Sequence, residues 1–142
     1  EVFELIEMKA VKRKMVLQID NQTRSPYVEA DQDKISQVLL NLIENSIKYG
    51  KEGGITKVRF FEMGENILVE VADDGLGIPE EHLPRLFERF YRVDKSRSRN
   101  EGGTGLGLSI VKHIIDAHRQ TINVRSTENI GTTFSFTLKR SK

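Results

Sequence analysis

Apolar residues recur along this chain in two rhythms, and the rhythm changes wherever turn-forming residues intervene. Ile35, Val38, Leu39, Leu42, Ile43 and Ile47 follow the i, i+3, i+4, i+7, i+8 spacing that draws one stripe along a helix. Asp31 stands where an N-cap belongs, Asp33 suits the first-turn dipole, and Gly50 follows Tyr49 as a stop. The pattern therefore predicts a helix from Asp31 to Tyr49. Two runs of alternating polarity, Ile55 to Met63 and Asn66 to Ala72, flank Gly64-Glu65 and predict a hairpin. A second helix is expected over Leu106 to His118 with Ile110, Val111, Ile114 and Ile115 inward. A second hairpin follows, from Thr121 to Val124 and Thr133 to Leu138.

The remaining segments are less regular. Val2, Phe3, Leu5 and Ile6 suggest an opening amphipathic helix, Met15 to Ile19 a short strand, Asn21 to Pro26 a turn, and Tyr27 to Ala30 a further candidate strand. Between Pro79 and Gly103 lies one short helical patch, Glu81 to Tyr91. The stretch from Arg92 to Gly102 is too polar to pack, as expected of a lid or a disordered loop. Neither a repeat nor a low-complexity tract interrupts the chain.

At 142 residues the chain has the length of one domain. A composition of 37% hydrophobic and 30% charged residues is ordinary for a soluble protein, and a formal charge of +1 argues against a dedicated nucleic-acid binder. There is no cysteine, hence no disulfide framework and no thiolate metal site, which fits a reducing compartment. No apolar run approaches the roughly 18 residues that span a bilayer, and the acidic opening Glu1-Val2-Phe3-Glu4 is no signal peptide. A start without methionine, inside an apparent helix, suggests a piece of a longer protein.

Three constellations carry candidate chemistry. At about 100° per residue, Asn41, Asn45 and Lys48 fall together beside the apolar stripe, with Tyr49 between them and it. Magnesium takes hard oxygen ligands and keeps waters and phosphates, so an Asn oxygen can complete its shell without repelling a nucleotide. Alone, the same residues read as the solvated flank of an ordinary amphipathic helix. Asp73-Asp74-Gly75-Leu76-Gly77 offers a carboxylate at a tight glycine turn, able to accept from an exocyclic amine, although Asp-Gly turns after strands are common. Gly102-Gly103-Thr104-Gly105-Leu106-Gly107 opens a helix with free amides toward an anion, or forms a lid hinge. It is not the dinucleotide fingerprint, since Ile110 stands at the third glycine's place, nor a Lys-bearing P-loop. Nearby, Arg85, Arg89, Arg92, Lys95, Arg97 and Arg99 form a local basic cluster, and Phe87, Phe90 and Tyr91 suggest either core packing or a docking surface.

Taken in order, these segments resemble the catalytic and ATP-binding domain of bacterial two-component sensor histidine kinases, in the superfamily of gyrase, heat-shock chaperone and mismatch-repair ATPases. Gln37 to Tyr49 is similar to the family's N box, Asp73 to Gly77 to its first glycine box, Leu86 to Arg92 to its phenylalanine box, Gly103 to Leu108 to its second glycine box, and Gly131-Thr132 to its last. The resemblance covers nearly the whole chain. It implies an α+β two-layer sandwich: a mixed, mainly antiparallel five-stranded sheet packed on one face by about three helices, with a mobile ATP lid over roughly 79–105.

Carried over by position, the resemblance implies ATP and Mg2+ as ligands. Asn45 would hold the metal, Asn41 and Lys48 would contact metal-bound phosphates, and Tyr49 would pack near the nucleoside. Asp73 would read the adenine amine above the turn of Gly75 and Gly77, with Ile78 and Thr132 lining the site. Arg92 would reach the γ-phosphate, and Gly103, Thr104, Gly105, Leu106, Gly107 and Leu108 would close over the phosphates.

Superfamily members that hydrolyse ATP with water place a glutamate one helical turn before the metal asparagine, whereas this chain has Asn41 there. Water would be poorly activated, which favours transfer of the γ-phosphate to a histidine. Asn41 and Arg92 are thus the candidate catalytic residues. The acceptor histidine is expected on a separate dimerisation hairpin, because His82, His113 and His118 are followed by Leu83, Ile114 and Arg119 and not by the family's acidic residue. Arg119-Gln120 replaces the family's usual glycines at a helix-to-strand turn. The implied partners are that hairpin, on the same or a sister protomer, and a downstream response regulator. The implied place is the cytoplasm, with the parent a homodimer anchored in the inner membrane. Two alternatives remain: an anti-sigma-factor-type serine kinase, and a non-catalytic nucleotide-gated interaction module.

Overall fold

The computed structural model describes residues 16–21, 28–51, 53–89, 91 and 107–140. Within them run the strands β1 (Val16–Asn21), β2 (Val28–Glu29), β3 (Ile55–Met63), β4 (Asn66–Asp73), β5 (Ile122–Thr127) and β6 (Gly131–Arg140). Helix α1 (Gln32–Tyr49) lies between β2 and β3, and α2 (Gly107–Ala117) precedes β5. The expected opening helix lies outside the described residues.

Asp31 caps α1 as its position predicts: its side chain accepts from the Lys34 N–H, and the helix stops at Gly50. The stripe Ile35, Val38, Leu42, Ile43 and Ile47 is buried and Leu39 partly so. On α2, Val111, Ile114 and Ile115 are buried, and both helices cover Val58, Val69, Val71, Phe134 and Phe136 on one face of the sheet. Two layers result, as an amphipathic helix and a one-sided sheet require.

Four strands form an antiparallel block in the order β3-β4-β6-β5, and β1 extends it in parallel alongside β3. The sheet has six strands where five are expected. The short β2 falls within the candidate strand Tyr27 to Ala30, and its Val28 and Glu29 pair with Arg140 and Lys139. It finds room because β6 is ten residues long and β5 only six, leaving the end of β6 with an open edge.

The helical patch expected over Glu81 to Tyr91 is a 3-10 segment, Glu80–Arg85, continued by turns with i→i−3 bonds from Glu88 N to Arg85 O and Tyr91 N to Glu88 O. Pro84 lies inside it. A proline there has no N–H to give and its ring would strike the carbonyl four residues earlier in an α-helix, so the tighter winding prevails. The described helices are thus two α-helices and this segment. Leu86 is buried beyond it, and Phe87 meets Phe134 edge to face at 6.2 Å, so Phe87 belongs to the core.

Helix α2 ends in a left-handed residue, Arg119 (φ 57°), with Gln120 N bonded back to Ile115 O. His118 ties the two helices together: its Nδ1–H donates to Ile114 O at 2.8 Å and its Nε2 accepts the Asp31 N–H at 3.1 Å. Both ring nitrogens are therefore occupied in packing.

Candidate functional site

Antiparallel register sets three residues in a row at one end of the sheet: Thr56 on β3, Asp73 closing β4, and Thr132 on β6. Both threonines are buried. Ser46 on α1 lies over the row. Its hydroxyl donates to Asp73 Oδ2 at 3.3 Å and stands 2.9 Å from the Thr56 hydroxyl. Oδ1 of Asp73 accepts the Gly75 N–H at 2.9 Å, and the Thr132 backbone lies near enough to favour the charged form of the carboxylate. A carboxylate has about four lone-pair sites. Ser46 and Gly75 engage one on each oxygen, and others are left for a donor from a ligand.

Burial pushes the Asp73 carboxyl above its ordinary value, against the pull of the Gly75, Ser46 and Thr132 hydrogen bonds, and the neighbouring Asp74 adds to the rise. Asp74 itself is turned to structural use. Its Oδ1 accepts the Ile55 N–H at 2.8 Å and its Oδ2 lies 4.0 Å from the Lys51 ammonium. Of the two acids, Asp73 alone bonds within the row.

The turn after Asp73 is fastened to the β5–β6 hairpin. Ser126 Oγ accepts the Ile78 N–H at 2.7 Å, and the Asn129 N–H donates to Leu76 O at 2.7 Å. Ser126 also donates to Gly131 O and stands 2.8 Å from the Thr132 hydroxyl. Gly77 (φ 71°) and Gly131 (φ 150°) hold conformations that side chains rarely adopt. A Cβ at Gly77 would collide with Thr127 O, and one at Gly131 with Asp73 O. Gly75, Gly77, Ile78 and Thr132 thus gather around Asp73.

On the helix side, Asn41 and Asn45 are half-buried one turn apart on α1. Asn41 Oδ1 faces the first residue of α2, 4.0 Å from where a Gly107 Cβ would stand. Leu108 packs partly against the core. Since α1 carries Asn41, Asn45 and Ser46, one helix spans the distance from the start of α2 to the Asp73 row. Arg92, Gly103, Thr104, Gly105, Leu106 and Phe90 lie outside the described residues, as do the side chains of Lys48 and Tyr49. Arg85 pairs with Glu88 and sits 4.6 Å above the Tyr91 ring, whose hydroxyl bonds His82 Nδ1.

Reading motifs alone overlooks Ser46, Thr56 and Ser126. The signal for Ser46 is present: it continues the stripe Val38, Leu42 at i+4, so a hydroxyl occupies a core position. Thr56 holds an inward position of β3 in the same way, alternating with Val58.

Residues 30–142 match the family described as histidine kinase-, DNA gyrase B-, and HSP90-like ATPase. The sensor histidine kinase WalK of Bacillus subtilis is 50% identical over 117 residues, which are 81% of this chain and 19% of WalK. The catalytic domain of the histidine kinase ThkA superposes with a TM-score of 0.84 at 34% identity, covering 98% of this chain and 88% of that one. ThkA in complex with the response regulator TrrA gives 0.80 at 32% identity, covering 99% and 38%. Full-length ShkA in complex with AMPPNP gives 0.85 at 26% identity, covering 99% and 29%. The chain spans about a fifth of the length of WalK. A match over most of the chain places it in the histidine kinase-, DNA gyrase B- and HSP90-like ATPase family, among the catalytic domains of sensor histidine kinases.

Proposed function

We propose that this chain binds Mg·ATP and delivers the γ-phosphoryl group to a histidine on a separate helical hairpin, within a two-component sensor kinase. One observation carries the reading: a partly desolvated carboxylate, Asp73, clamped on both oxygens at the end of the sheet with acceptor capacity left over. Such an acceptor suits the 6-amino group of adenine. The AMPPNP held by ShkA and the response regulator held by ThkA support a nucleotide and a regulator as partners here.

Asn45 would hold the magnesium ion. Among the described residues no group of three or more His, Cys, Asp or Glu gathers, so a neutral carboxamide with phosphate and water is the donor set that fits. When bound, the ion would offset charge on the phosphates. Lys48 and Asn41 would meet phosphate oxygens, Tyr49 the nucleoside, and Arg92 the γ-phosphate, with residues 103–108 over the tail; of the lid expected over roughly 79–105, Leu86 and Phe87 belong to the core and would anchor it. Transfer breaks the bond between the γ-phosphorus and the β,γ-bridging oxygen, releases ADP and forms a P–N bond to the imidazole. Asn41 offers no base to a competing water, which protects the nucleotide from hydrolysis.

The test supplies the histidine-bearing hairpin in trans with labelled ATP and follows label on the hairpin. An acid-labile, base-stable phosphoprotein is the expected product. An acid-stable one would point to serine and remove the histidine assignment. The parent would sit at the inner membrane with this domain in the cytoplasm. Among the described residues no helix is long and apolar enough to cross a membrane.

A further inference from the structure

We infer that Ser46 is a positioning residue for purine recognition: its hydroxyl, backed by Thr56, holds the Asp73 carboxylate in the orientation that separates adenine from purines lacking a 6-amino group. The inference rests on Asp73 as the base-reading residue. A carboxylate held at one oxygen can swing about its terminal torsion, where the rotational profile is broad. Gly75 N–H pins Oδ1 and Ser46 O–H pins Oδ2, so the plane of the group is fixed. The direction of the second clamp follows from charge. An ionised carboxylate only accepts, so the Ser46 proton points at Oδ2, and the Thr56 hydroxyl must then donate to Ser46. Both hydroxyls are nearly closed to water, at 3% and 0% exposure, so solvent does not compete for either bond. At 3.3 Å the Ser46 contact is long for an O–H···O bond, and it orients the carboxylate more than it neutralises it.

Packing alone does not ask for these groups. Ser46 occupies a position of the apolar stripe where alanine would fill the space, and a buried hydroxyl is unfavourable unless it is bonded. Its two partners are a second buried hydroxyl and the carboxylate that the ligand would meet.

The test is a ligand-based cycle on this chain. Calorimetry with magnesium compares ATP and purine riboside triphosphate, which lacks the 6-amino group, against wild type, Ser46→Ala, Thr56→Val, Thr56→Ser and Asp73→Asn, with thermal melts to certify folding. Ser46→Ala should weaken ATP by about 3- to 10-fold, the worth of one hydrogen bond, and move the analogue by less than about twofold. Thr56→Val should act in the same direction, and Thr56→Ser should restore wild-type discrimination. Equal losses for both nucleotides, or none for either, would overturn the inference. If wild type itself does not separate the two nucleotides, the reading of Asp73 fails together with it. If wild type discriminates, Asp73→Asn abolishes this and Ser46→Ala retains it, only the role of Ser46 fails.

Discussion

Replacing Asp73 by Asn should leave the fold standing and remove most of the nucleotide affinity, and the hydrogen-bond inventory says why. Asparagine offers one carbonyl oxygen with two lone pairs in place of about four. At the Oδ1 position this oxygen keeps the Gly75 N–H. The amide nitrogen then faces Ser46, whose hydroxyl reverses to accept from it and donates to Thr56, a direction the 2.9 Å pair permits. The bonds to Gly75, Ser46 and Thr56 are thus kept, while the charge and the Oδ2 acceptor that would meet an adenine amine are gone. The loss is one charge-assisted hydrogen bond, about 1.5–3 kcal/mol, or roughly a 10- to 150-fold rise in Kd for Mg·ATP. A second consequence is qualitative: a donor now lies where the purine 6-position would sit, so inosine triphosphate should lose far less than ATP. Calorimetry with both nucleotides, beside a melt and a circular dichroism spectrum, measures all of this. A folded Asp73→Asn variant that binds ATP as tightly as wild type, with an unchanged ATP-to-ITP ratio, would refute the reasoning.

The same carboxylate sets a pH dependence. Burial raises its folded value above the unfolded one, so between the two values the folded state holds more protons and stability falls as pH rises. Asp73→Asn should flatten that part of the stability–pH curve, and ATP affinity should fall as pH drops through the raised folded value, both readable by melts and titrations across the acidic range. Gly131→Ala adds a Cβ against the Asp73 carbonyl at a strained φ, and should cost about 2–4 kcal/mol in urea unfolding while weakening ATP as well. Arg119→Gly relieves a left-handed residue at the end of α2 and should stabilise by a few tenths to about 1 kcal/mol, a rise of about 1–4 °C in Tm with ATP affinity unchanged. His118→Ala removes both the acceptor for Asp31 N–H and the donor to Ile114 O, and should destabilise by about 1–2 kcal/mol in the same melts without touching nucleotide binding.

Where local physics and tertiary structure agree, the sequence is readable. Helix α1 has its cap, stripe and stop in plain view, and the β3–β4 hairpin falls on its expected residues because the alternation is strong and Gly64 takes a positive φ at the turn. The glycine turn after Asp73 is legible for the same reason, since Gly77 must accept a backbone that other residues resist. What is not legible depends on distant partners. Val28 and Glu29 fall within the candidate strand Tyr27 to Ala30, but their pairing with the end of β6 depends on β6 outrunning β5, an overhang that no local pattern encodes. Pro84 is visible, yet the apolar pattern of residues 81–91 suits either winding, and the burial of Leu86 and Phe87 against the sheet appears only in the fold. The choice between Asp73 and Asp74 likewise needs the partner strand, because Ile55 N–H takes Asp74 away from the site.

Ser46, Thr56 and Asp73 share a property that helps to explain why they meet. Each places a polar group where apolar packing would be more stable: a hydroxyl on the helix stripe, a hydroxyl on an inward strand position, and a carboxylate whose burial is resisted by its own charge. A core selected for stability alone has no use for the three together, whereas a site that must read one amine benefits from low dielectric, fixed direction and exclusion of water. The glycines beside them carry the complementary cost. Gly77 and Gly131 give up side-chain packing so that the hairpin backbone can close on the carboxylate. Local rules are thus broken at neighbouring positions on α1, β3, β4 and β6, and the breaks converge on one end of the sheet. Convergence of this kind, more than any single motif, favours the proposed binding site over an Asp-Gly turn that merely ends a strand.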